Sequence, residues 1–138
     1  MLFQPSKTMK ISVLHEQERQ LSSKEKIEAA CAKENVLAFD IYSDDLLIGF
    51  AMVRKFEDGA YFLWNYAINS QYQNQHYGTS ALRELIRFMK DNYDMKKMTT
   101  TYIWGNSHAQ HIYEKIGFIE TDVVDEDGCH EVNMVYDC

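Results

Sequence analysis

Three short stretches of this chain read as strands, and the turns between them are too short to hold another element. Val36 to Tyr42 places Leu37, Phe39 and Ile41 on one side and Ala38, Asp40 and Tyr42 on the other. Leu46 to Arg54 follows after Ser43-Asp44-Asp45, and Ala60 to Ile68 follows after Glu57-Asp58-Gly59. The period of two in the first stretch is the pattern of a strand with two distinct faces, and the other two read as strands bounded by turns. Strands joined so closely must be antiparallel neighbours, because a parallel pair needs a crossover of about a dozen residues or more. An all-helical fold is thereby excluded.

After Asn69 the period changes. Gly78 to Asn92 places Ala81, Leu82, Leu85, Ile86 and Met89 on one helical face, with Arg83, Glu84, Arg87 and Lys90 opposite. Met98 to Trp104 is β-branched and aromatic, which predicts a strand. A helix follows from Ser107 to Ile116, with Asn106 or Ser107 as cap and Gly117 as its stop. Phe118 to Val124 and Glu131 to Tyr136 are two further strands around Asp125-Glu126-Asp127-Gly128. An earlier helix is expected from Ser22 to Lys33, with Ile27, Ala30 and Cys31 on its inner face. The order is helix, three strands, helix, strand, helix, two strands, with the only proline at position 5. This is a mixed α/β (α+β) sheet flanked by helices. Strand 60–68 reaches strand 98–104 through a helix, so those two should be parallel.

The chain of 138 residues suits one domain, 1–138, with no linker or repeat. Its hydrophobic share of 46% is enough for a packed core. Asp and Glu number 21 against 14 Lys and Arg, a net charge of −7 that speaks against nucleic acid as a partner. No apolar run is long enough to cross a bilayer, so no membrane role is expected. Cys31, Cys129 and Cys138 are odd in number and widely spaced, which fits a reducing compartment and a cytoplasmic location rather than a disulfide framework. Of the histidines only His108 and His111 stand close enough to share a metal, and no third ligand accompanies them. No metal is expected.

Chemistry has two places to reside. The first is Asn69-Ser70-Gln71-Tyr72-Gln73-Asn74-Gln75-His76-Tyr77-Gly78-Thr79-Ser80, a polar loop running from a strand into a helix start. The first N–H groups of a helix have no intrahelical partner and carry partial positive charge, so such a start can bind phosphate without a lysine. Taken alone it is also what an ordinary strand-to-helix connection looks like. The second is Asn106 to Phe118, where Tyr113 can pack its ring on the core side while its hydroxyl reaches outward.

Together, Gln73-x-x-His76-x-Gly78 and Asn106-x-x-Ala109-x-x-x-Tyr113-Glu114-Lys115-x-Gly117-Phe118 resemble the GNAT superfamily of N-acetyltransferases. Within it the likeness is to the small bacterial spermine/spermidine acetyltransferase-like members. Leu46 to Met52, Tyr61 to Trp64, and Ile68 also look like that group's central strands. The likeness covers roughly residues 36–136, with a vaguer part from Val13 to Ser23.

The resemblance implies a splayed parallel pair at 60–68 and 98–104, and acetyl transfer from acetyl-CoA to a small-molecule primary amine in a ternary complex, a polyamine being one candidate. It implies that pantetheine lies along Tyr66, Ala67 and Ile68. The pyrophosphate would sit on the amides of Gln73, Asn74, Gln75, His76, Tyr77, Gly78 and Thr79, and Asn106 would bond the pantetheine arm. Tyr113 would protonate the departing thiolate, a task for which a tyrosine near pKa 10 holds its proton at neutral pH. Glu16, Asp40 and Glu120 are candidate bases by chemistry, and a water chain serves equally well.

The sequence departs from the family pattern at three points. His76 stands where the motif has its first glycine, and Asn65 follows Trp64 where polyamine-acetylating relatives often carry arginine. Relatives also place a strand and a helix before the part resembling Val13–Ser23, whereas about a dozen residues stand there in this chain. Either Leu2–Val13 supplies an edge strand or the sheet lacks one. These departures keep an alternative open: a non-catalytic CoA-binding or interaction module with a degenerate acetyltransferase fold. An incomplete sheet edge also leaves surface that a second copy could cover, so a homodimer is a further expectation.

Overall fold

The three stretches form the strands expected of them, and both faces of the resulting sheet are covered over its central part. The computed structural model describes residues 1–12, 21–73 and 75–138. In chain order the elements are β1 (Leu2–Pro5), α1 (Lys24–Cys31), β2 (Val36–Ser43), β3 (Leu46–Glu57) and β4 (Ala60–Ile68). A short 3₁₀ turn (Ser70–Tyr72) leads to α2 (Tyr77–Tyr93), followed by β5 (Lys97–Ile103), α3 (Ser107–Ile116), β6 (Ile119–Glu126) and β7 (Cys129–Asp137). One sheet has the order β1-β2-β3-β4-β5-β7-β6. Every pairing is antiparallel except β4 with β5.

Ile41, Val53, Leu63 and Met98 face α2, whose stripe of Ala81, Leu82, Leu85, Ile86 and Met89 is buried against them. On the opposite face Ala38, Phe50 and Met52 pack beneath Ile27, Ala30 and Cys31 of α1. Ser23 caps α1 by accepting a hydrogen bond from the Lys26 N–H. The two alternatives for the N-terminus resolve in favour of an edge strand. Leu2–Pro5 pairs with β2, and Phe3 anchors it by packing on Phe88 of α2 with ring centroids 5.1 Å apart. The vaguer likeness at Val13–Ser23 falls mostly outside the described residues, as does Glu16.

Several strands run further than the sequence leads one to expect. β3 continues to Glu57 because its ladder with β4 extends beyond the core, where outward residues are charged. β6 and β7 close on a tight turn at Asp127-Gly128, with Gly128 at φ 78°, rather than on a four-residue loop.

The feature that matters for function is a fork. β4 and β5 pair only from Ala60–Lys97 to Leu63–Thr100. At that point β4 carries a bulge against β3: Val53 pairs with Leu63 and Met52 with Asn65, so Trp64 has no partner. A bulge bends its strand and raises its twist, which here turns the second half of β4 away from β5. The bulge also reverses the alternation. Tyr61 and Leu63 face α2 before it, and Tyr66 and Ile68 face that side after it. Asn65 is left on the α1 side, buried, holding Ser22 through a hydrogen bond from the Ser22 N–H (2.8 Å) and one to its hydroxyl (3.3 Å).

Candidate active site

The open end of the fork is a cleft of about 560 Å³ between β4, the first turn of α2 and one face of α3. A depression of similar size at the other end of the sheet lies between the β3–β4 turn and the end of α2. It is lined by Lys55, Asp58, Lys90 and Asp91, far from the fork. Among the described residues no group of three His, Cys, Asp or Glu is placed to hold a metal ion, and no helix is long and apolar enough to cross a membrane.

Of the residues singled out from sequence, Tyr66, Ala67, Ile68, Gln73, His76, Gly78, Thr79, Asn106 and Tyr113 line the cleft. Asn74 lies outside the described residues. Gln75 is exposed and the Tyr77 ring packs edge-on against Tyr72; neither of the two lines the cleft.

Each lining group is held by a local cause. His76 is the N-cap of α2 and adopts a left-handed conformation (φ 64°, ψ 8°) without a side-chain cap. That conformation costs a non-glycine residue about 1–2 kcal/mol. The glycine that the resemblance leads one to expect here is what this backbone favours, and the histidine is accommodated at the cost of strain. Helix geometry leaves the N–H groups of Tyr77, Gly78 and Thr79 without intrahelical acceptors. The Gln73 side chain turns back to donate to the Ile68 carbonyl at 2.7 Å, tying the phosphate-loop candidate to the end of β4. Asn106 accepts from the Ala109 N–H at 3.2 Å, which makes it the N-cap of α3 as well as a cleft residue.

At the root of the fork, Thr100 donates to the Leu63 carbonyl at 3.2 Å, and the Tyr113 hydroxyl meets the Thr100 side chain. The Tyr113 ring is fixed between Tyr102 and Phe118, with centroids 6.4 and 5.3 Å away. Burial raises its phenol above the ordinary tyrosine value, and the Thr100 contact opposes this only in part. Tyr66 donates its hydroxyl to the Gly78 carbonyl, pinning the splayed half of β4 to the first turn of α2. Burial raises its phenol well above the ordinary value too.

The candidate bases fare differently. Asp40 is buried on the α1 side, bonded to Lys10 at 2.6 Å, with its other oxygen unpartnered. The register Asp40–Phe50–Ala67 places it two strands from the cleft wall, about 10 Å away. Glu120 is exposed on the edge strand β6 and does not line the cleft.

Leu21 and Tyr72 also line the cleft without any sequence signal, and so do His108 and His111, which the sequence marks only as a metal pair lacking a third ligand. Both are exposed, and with Lys115 they form one wall of the cleft. Their spacing on a single helical face was visible in the sequence; that this face borders a cleft was not.

Three comparisons bear on the arrangement. The model of the acetyltransferase (GNAT) family matches residues 6–118. Over 85 residues the chain is 28% identical to the spermine/spermidine N(1)-acetyltransferase of Bacillus subtilis (strain 168), a stretch making up 56% of this chain and 56% of that protein. The match thus spans little more than half of that relative's length. The fold is similar to that of a GNAT family acetyltransferase from Elizabethkingia anophelis solved with acetyl-CoA bound, with a TM-score of 0.76 and 19% identity over 99% of this chain and 97% of that one. A mutant spermidine N-acetyltransferase SpeG from Vibrio cholerae gives a TM-score of 0.71 and 15% identity over 83% of this chain and 72% of that one.

Proposed function

The chain belongs to the acetyltransferase (GNAT) family, and from that premise we propose that it transfers the acetyl group of acetyl-CoA directly to a primary amine of a small molecule. The observation that carries this reading is the fork. The β4–β5 ladder stops at Leu63–Thr100, and the cleft beyond it runs from the Tyr113 side chain to the uncapped start of α2. An extended thioester arm fits beside the unpaired flank of β4 as an added strand would. The diphosphate is matched by the N–H groups of Tyr77, Gly78 and Thr79.

In this reading the amine nitrogen attacks the thioester carbon, a C–N bond forms and the C–S bond breaks. Tyr113 gives its phenolic proton to the departing sulfur, and its raised pKa keeps that proton available throughout the neutral range. An acceptor arriving as an ammonium first gives one proton to water to expose its lone pair, and the proton it loses after attack returns through water to the Tyr113 phenolate. Of the candidate bases, Asp40 and Glu120 do not line the cleft and Glu16 lies outside the described residues. A net charge of −7 favours the approach of a cationic acceptor, so polyamines are the first acceptors to try.

The test is thiol release from acetyl-CoA with spermine, spermidine, other small primary amines and a lysine peptide, beside thermal shift with acetyl-CoA alone. Stabilisation by acetyl-CoA and turnover of at least one small amine are expected. Stabilisation without turnover of any acceptor would replace this reading with the non-catalytic CoA-binding module. Absence of both would end it.

A further inference from the structure

The cleft differs in charge from the molecule around it. The chain carries 21 acidic residues against 14 basic ones, yet among the described residues no Asp or Glu lines the cleft. Its ionisable groups other than phenols are His76, His108, His111 and Lys115. The last three stand at i, i+3 and i+7 on α3, so they form one row spanning about 10 Å of helix. The acid of this helix points elsewhere, for Glu114 accepts from Gln110 at 3.0 Å on a neighbouring face. Among the described residues no ion pair engages His108, His111 or Lys115. Arg83 of α2 donates to the Lys115 carbonyl at 3.4 Å, adding a further cation at that end of the row.

The row lies beside the start of α2. A Cβ built on Gly78 would stand 3.0 Å from Cδ1 of Ile112, which sits within the same α3 stripe. Two anion-attracting surfaces therefore share one cleft: the main-chain donors of α2 and the side-chain donors of α3. A ligand with a single diphosphate would occupy the first and leave the second unmatched. Coenzyme A has a second anionic group, the 3′-phosphate on its ribose, one sugar ring from the diphosphate.

We propose that His108, His111 and Lys115 form the recognition site for this 3′-phosphate and make the protein discriminate coenzyme A from its 3′-dephospho form. The proposal rests on the acetyl-CoA reading above and assigns to α3 a specificity that the main-chain donors cannot provide. Imidazole N–H groups and an ammonium give a phosphomonoester charge-assisted bonds. The three side chains are exposed, so replacing them leaves the core intact.

The experiment is calorimetric titration of the wild-type protein and the H108A/H111A/K115A variant with acetyl-CoA and with acetyl-3′-dephospho-CoA. The wild type should bind acetyl-CoA about tenfold or more tightly than the dephospho form, as expected for one or two charge-assisted bonds. In the variant that ratio should fall to about one while affinity for the dephospho form stays within about twofold of wild type. A wild type without preference, a variant that keeps the preference, or a variant that weakens both ligands equally would each overturn the assignment. A wild type that binds neither ligand would overturn the acetyl-CoA reading itself, an outcome distinct from the other three.

Discussion

Tyr113 combines two properties that its sequence context could only suggest: a ring buried among Tyr102 and Phe118, and a hydroxyl delivered to the root of the fork beside Thr100. Replacing it by phenylalanine keeps the ring packing and removes only the proton donor. For Tyr113→Phe, kcat should fall about 10²- to 10⁴-fold while acetyl-CoA affinity changes less than about twofold. A fall in steady-state kcat of less than tenfold would show that the acid is elsewhere. The position of this residue was legible, because an aromatic one turn beyond Ala109 on an amphipathic helix has few places to go. The roles of Asn65 and Gln73 were not legible. Both amides bond main chain from elsewhere, Asn65 to Ser22 and Gln73 to the Ile68 carbonyl. The Ser22 partner is distant in sequence and is brought alongside by tertiary packing, whereas the Ile68 partner lies a few residues back and depends on how the loop turns, which no residue pattern marks.

At the scale of elements, the cleft exists because a bulge at Trp64 bends β4 and because α3 lies close against α2. A regular strand over 60–68 would place Asn65 and Ala67 on the side of Tyr61 and Leu63. The bulge reverses this, and nothing in the local sequence marks it, since the register between two strands is settled by pairing. The α2–α3 contact depends on Gly78, where an added methyl would press on the flexible end of Ile112. Gly78→Ala gains about 0.5–1 kcal/mol of helix preference but requires the Ile112 end to give by a few tenths of an ångström, so stability should stay within about 1 kcal/mol of wild type while acetyl-CoA binding weakens through crowding at the start of α2. Ile112→Val removes the crowded atom, so the double variant should be more stable than the sum of the two single effects predicts and should recover affinity. Urea denaturation of the four proteins checks this; strictly additive effects would mean that the two positions do not press on each other.

For the molecule as a whole, burial sets the direction of its pH response. Burial raises the phenols of Tyr66, Tyr102 and Tyr113 and the thiol of Cys31, while Lys10 is raised by its hydrogen bond to Asp40. In every case the folded chain holds a proton that the unfolded chain releases at lower pH. Their stabilising effect is thus complete below the unfolded values and is lost as pH climbs through the folded ones. Melting temperature should fall between about pH 8 and pH 10.5, the thiol responding first and the phenols and lysine later. A melting temperature that held or rose over that interval would contradict the burial of these groups. What the sequence determined by itself was local in origin: the strand and helix periods, the short turns that force antiparallel neighbours, the crossover that makes β4 and β5 parallel, and the unsatisfied start of α2. Each follows from the preferences of residues close along the chain. Tertiary structure alone decided where β4 leaves β5, which face Tyr66 presents, and that the His108–His111–Lys115 row borders the cleft. Those outcomes depend on register and close packing between segments distant in sequence, whose energies no single segment contains.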